Sequence, residues 1–231
     1  MLFALGQPEA LLGLLLGFFI GVVSVGAAQA RLSGGGPGPA RGSARDRGVG
    51  LLGRYVDPFG AIGAALGGVG WAAPVTVGRF RRGPARGRLV RTLLLAPLVH
   101  LLLAAIGTAG LAGVGRLGAL GGVDTRAALH GLYHDSFLAL TLLGFTVANL
   151  TMALLHVIPL PPMAAGRILL LLAPETPSWQ RAAYQLEENN WGIGILLALS
   201  LPLFSGGALS ASLTASLSRP LLRLIAGLAG G

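Results

Sequence analysis

The chain contains no cysteine and no lysine, and only 11% of its residues are charged. Without cysteine it can form neither disulfides nor thiolate metal sites, so any zinc has to be held by histidine and carboxylate. Soluble domains carry roughly 25% charged residues. Less than half of that, with 53% hydrophobic residues and a mean hydropathy of +0.74, makes a lipid bilayer the expected solvent. The basic residues are all arginine and leave a net charge of +9 over 231 residues. Most of them fall in two short blocks, Arg41, Arg45 and Arg47, then Arg79, Arg81, Arg82, Arg86, Arg88 and Arg91. Basic blocks that flank apolar segments orient a membrane protein rather than bind phosphate backbones. No nucleic-acid partner is therefore expected, and both blocks are placed on the cytoplasmic side of the cell membrane.

The apolar runs predict an all-α polytopic membrane protein, a single integral membrane domain over 1–231 with about four transmembrane helices. These are Leu11–Ala30, Leu89–Leu111 with Pro97 and His100 inside it, Phe137–Ile158, and Trp191–Leu213 with a kink at Pro202. Ala28, Gln29 and Ala30 resemble a signal cleavage site, but the stretch before the first run has no basic residue and carries Glu9, which favours a retained helix. Residues 31–57 read as an Arg, Gly and Pro loop. Residues 58–77 are apolar yet hold Gly60, Gly63, Gly67, Gly68 and Gly70. Were this segment to span, the two basic blocks would face opposite sides, so a re-entrant or strand-like hairpin is expected instead. Residues 159–190 form a polar loop, and 218–231 an amphipathic helix on the membrane surface.

Polar groups inside a span are costly unless satisfied, so each is a functional candidate. Asn149, Ala153 and His156 share one helical face. Pro159, Pro161 and Pro162 follow at once and break the helix, freeing carbonyls beside that face. The arrangement suits capture of an extended peptide, or it is a helix end at the membrane interface. His130 and His134, at i and i+4 with Asp135 adjacent, are weak metal candidates that read more simply as solvated side chains. His100 and His156, which could meet in the core, are a second candidate metal pair, and a mutual or backbone hydrogen bond is the preferred reading.

Several strings, in order, resemble the bacterial site-2 protease-like intramembrane zinc metallopeptidases. In that family a helix ends in HExxH followed by an arginine-leucine turn, a DPxG segment, a GWAxPV stretch, a GPxxN helix and a helix ending N-L-x-P-x-P-P-L-D-G. Here stand Arg31-Leu32, DPFG from Asp57, GWAAPV from Gly70 to Val75, APLVH from Ala96 to His100, HVIPLPPMAAG from His156 to Gly166, and YQLEENNWGIGILL from Tyr184. The resemblance implies a site-2 protease-like core in which residues 71–77 offer an edge to an extended substrate.

The departures fall on the chemistry. The resemblance puts HExxH on Gly21 to Val25, so Gly21 and Val25 stand at the histidine ligands and Val22 at the general base, while Ala164 stands at the aspartate ligand. Zinc hydrolysis needs three ligands, an open position and a carboxylate to move the proton of the bound water. The expectation is a pseudoprotease without catalytic residues and without the family's zinc. It would hold a transmembrane or membrane-proximal protein partner through Trp71, Pro74, Val75, His100, Asn149, His156, Pro159, Pro161 and Pro162. Two rivals are a metallopeptidase with a relocated metal site and a small transporter or channel component with the Pro-broken spans as its path.

Overall fold

Among the described residues, three helices are long and apolar enough to cross a membrane, and they pack against one another. The computed structural model describes residues 4–33, 55–68, 70–73, 85–115, 128, 135–201, 212 and 216–223. Pro74, Val75, His130 and His134, and nearly all of the loop expected at 31–57, lie outside the described residues. Helix α1 is Pro8–Ser33, α2 is Pro58–Gly67 and α3 is Ala85–Gly113. Phe137–Leu155 is α4, Ala164–Leu172 α5, Pro177–Ala183 α6 and Trp191–Ser200 α7. A π-helical turn, Tyr184–Glu188, joins α6 towards α7.

Helices α1, α3 and α4 pack against one another pairwise. Inside a bilayer the hydrophobic effect does not hold helices together, so close contact between backbones has to. The sequence supplies it with Gly13, Gly17 and Gly21, four residues apart on one face of α1. A Cβ at Gly13 would strike the Thr141 carbonyl of α4, and one at Gly17 would sit 2.7 Å from the Ala148 methyl. From the other side, a Cβ on Gly144 would come within 2.8 Å of the Ala10 carbonyl oxygen. On the outer side, α3 turns Leu94, Leu98, Leu101, Leu102 and Ile106 away from the protein.

The basic residues Arg86, Arg88 and Arg91 form the first turns of α3 rather than a separate loop. Arginine is a good helix former, and nothing breaks the helix before the apolar run begins. Similarly, the expected polar loop at 159–190 is largely helical, since Thr176 accepts a hydrogen bond from the Trp179 N–H and Pro177 opens α6.

Residues 58–77 begin as the ten-residue helix α2, about 15 Å long and too short to cross. Asp57 caps it by accepting the Gly60 N–H at 2.8 Å, and Gly68 ends it at φ 75°, a conformation natural to glycine. Val56 and Ala72 form an antiparallel bridge, and the Ala73 N–H donates to the Tyr55 carbonyl at 2.8 Å. The chain therefore leaves this segment beside the point where it enters. Of the expected fourth span, the described part is α7, ten residues long. Near the C-terminal end, helical residues 216–223 turn Ser218 and Leu222 inward.

Candidate functional site

The positions that the resemblance assigns to metal ligands converge at the basic end of the helix bundle. Gly21 and Val25 lie on α1, and Ala164 opens α5 after the turn that follows α4. At Gly21 the space is taken. An added Cβ there would lie 2.7 Å from His100 Cε1 and 2.8 Å from Asn149 Oδ1, so the imidazole from α3 and the amide from α4 fill the volume beside the glycine. Both are fully buried. Asn149 Nδ2 donates to the Phe145 carbonyl at 3.0 Å, which directs its Oδ1 towards His100 Nδ1 at 2.9 Å. An amide oxygen only accepts, so Nδ1 of His100 carries the proton. Its Nε2 is buried and has no partner among the described residues.

His156 stacks on this pair, with ring centroids 5.8 Å apart and planes inclined by 23°. His100 and His156 therefore meet through ring stacking, and of the expected mutual or backbone hydrogen bond the backbone one is made, by His156. His156 fastens the proline turn. Its carbonyl accepts the Ala165 N–H at 3.0 Å and its Nδ1 accepts the Ala164 N–H at 3.3 Å. Pro161 is buried, Pro162 is half-buried and Pro159 is exposed. Gly166 lets α5 press on the backbone of Leu160 and Pro161, and Gly192 lets α7 rest on the Pro161 carbonyl.

Val25 and Ala164 line a different space, a notch of about 20 Å³ shared with Gln29, Ala72, Ala73, Leu93, Ala96, His156, Pro162 and Arg167. That is room for about one water molecule. Gln29 crosses it to donate to the Thr92 carbonyl at 3.1 Å. Arg167 is 8% exposed and meets Glu187 of the π-helical turn through Nε at 3.4 Å. Burial pushes the Arg167 pKa down, and the Glu187 carboxylate pulls it back. Among the described residues the Glu187 carboxylate is its anionic partner.

Trp71 does not line the notch. Its indole is 1% exposed, and its N–H lies beside the Asp57 carboxyl. Gly60 packs on its backbone. The large ring belongs to the core under α2, and its neighbours Ala72 and Ala73 form the wall. The first turn of α2 buries the Asp57 carboxyl as well, which raises its pKa above the usual carboxylate value even though backbone N–H groups oppose the shift.

Sequence reading missed Arg167, Gln29 and the α1 glycines. The spacing of Gly13, Gly17 and Gly21 was a usable signal, as was a lone arginine in the apolar string AAGRILLLL. A larger cavity, about 410 Å³, lies between α3 and α4 under Leu222. It offers no free polar group, since Thr108 and Thr146 on its wall each donate back to their own helix.

Zinc does not fit the assigned positions. Gly21, Val25 and Ala164 carry no donor atom on their side chains, and His100 and His156 both have Nδ1 engaged. Among the described residues no group of three or more His, Cys, Asp or Glu side chains lies together.

The chain is similar to a protein of Bacillus subtilis (strain 168) named "Putative zinc metalloprotease YwhC", with 34% identity over 124 residues. The match covers 52% of this chain and 51% of that protein, so it spans about half the length of the relative. No family model matches the chain, and no solved structure gives a significant match.

Proposed function

We propose that the protein is a membrane-embedded, non-catalytic relative of the site-2 protease-like metallopeptidases that grips an extended peptide at the notch between residues 72–73 and the proline turn. One observation carries this reading: Val25 and Ala164, two positions assigned to ligands, converge with His156 on one notch, and the donors are missing while the walls remain. Hydrolysis by this class needs a metal-bound water and a carboxylate to take its proton. Val22 offers no such base. The Ala73 N–H is already paired with Tyr55, and in an antiparallel pair the alternate residue, Ala72, directs its backbone groups to the other side. An extended peptide adds there as a further strand.

The same reading places α2 as a re-entrant segment and α7 as the start of a fourth span. Because the Val56–Ala72 bridge ties the ends of α2 together, both arginine blocks then lie on the cytoplasmic side.

The chain has no cysteine, so a single Ala73→Cys variant carries a unique thiol for crosslinking. A photoreactive probe on that thiol is expected to capture an added apolar peptide, and a probe at Leu102, on the outer face of α3, is not. Chelator-sensitive cleavage of a transmembrane peptide by the purified parent protein would overturn the non-catalytic assignment.

A further inference from the structure

The buried guanidinium in the notch points to the kind of peptide that binds. Arg167 spends only Nε on Glu187, and among the described residues its two Nη groups make no hydrogen bond. Arg167 thus lines the notch with a planar fork that has four N–H donors to spare. Gln29 places the notch beside Thr92, at the end of the bundle that carries Arg31, Arg88 and Arg91. The first turn of α5 adds the positive end of a helix dipole. Apart from the Glu187 carboxylate, these features favour an anion, and the planar fork matches a carboxylate with two parallel hydrogen bonds. With room for about one water, the notch takes a carboxylate oxygen that arrives on a chain lying along Ala72 and Ala73. A larger anion does not fit.

We infer that Arg167 is the recognition residue of a carboxylate-binding notch, which selects extended peptides that present a free carboxylate beside the 72–73 wall. The inference rests on the peptide-gripping reading given above. The carboxylate is either a chain terminus or an acidic side chain, and both share the same chemistry.

The test uses the full-length protein in detergent and three apolar peptides of one sequence. One ends in a free acid, one in an amide, and one in an amide with an internal glutamate. The parent protein is expected to bind at least one acidic form about tenfold more tightly than the plain amide, the size of effect a charge-assisted pair gives. Which of the two acidic forms it prefers identifies the source of the carboxylate. Arg167→Gln is expected to bring the acid-to-amide ratio to about one. Glu187→Gln removes the competing carboxylate and is expected to raise acid binding, a gain that a folding defect cannot imitate. If the parent binds all three peptides equally, the carboxylate notch is wrong and peptide gripping stands. Binding of none of them overturns both. Loss of amide binding in Arg167→Gln, with no gain in Glu187→Gln, makes Arg167 a structural residue and sinks the inference.

Discussion

The two halves of the region around the assigned positions are filled in opposite ways. At Gly21, His100 and Asn149 occupy the space, bonded to each other and stacked under His156. Beside Val25 and Ala164 the space stayed open and polar, with Arg167 and Gln29 on its walls. The space beside a small residue therefore closes only where a flanking helix carries a residue long enough to reach it. Helix α3 crosses α1 beside Gly21 with an imidazole, but faces Val25 with the small Ala96 and with Leu93.

The comparison breaks most visibly at Gly21. Gly21→His has to displace two buried side chains, and overpacking of that kind costs about 1–3 kcal/mol or more. A fall of many degrees in the detergent melting temperature is expected, with recovery of at least half in the double variant Gly21→His, His100→Ala. An unshifted melting temperature would mean that the Gly21 half is as open as the other.

Next in size is Asn149→Ala, which strips His100 Nδ1 of its acceptor. Interhelical hydrogen bonds of this kind in membranes are worth about 0.6 kcal/mol and at most about 1.7 kcal/mol. The melting temperature is expected to fall by a correspondingly smaller amount, and His100→Asn in the same background is expected not to lower it further.

In the open half, Ala164→Asp is expected to change stability by less than about 1 kcal/mol. The new carboxylate finds the Arg167 donors and the start of α5, where acidic residues are favoured. A cost as large as that of Gly21→His would show that both halves are closed. The same variant should abolish the acid-over-amide preference, because its own carboxylate takes the place of the ligand.

The smallest effect concerns the wall. Burial raises the Asp57 pKa, so the folded state binds its proton more tightly than the unfolded chain. Stability from this group is then greatest below the unfolded carboxylate value and declines as pH rises towards the raised folded value. Asp57→Asn keeps the cap, since asparagine serves as well there, and is expected to flatten that part of the stability-versus-pH curve. An unchanged slope would assign it to another group.

Much of the fold was legible in the residues. Apolar length predicted α1, α3 and α4, and the helix bounds differ only by a few residues, because arginine and serine extend helices as readily as they flank them. The polar face of Asn149 and His156 and the break at Pro159 to Pro162 were both visible, since spacing alone fixes them. Trp71 was placed in the cleft, whereas the structure puts its ring in the core. One-dimensional pattern does not tell which side of a bridge a large side chain takes.

The sequence by itself supplied apolar runs long enough for a bilayer, the helical class and the lack of donor atoms at Gly21, Val25 and Ala164. These follow from which atoms are present, and no folding changes them. Only the tertiary structure decided what became of the space. The crossing of α1, α3 and α4 at glycine contact brings His100, 79 positions away along the numbering of the chain, against Gly21, and the turn fastened by His156 swings Arg167 into the notch. Distance in space between residues far apart in sequence is set by packing, and it is packing that made one half of the site closed and the other charged.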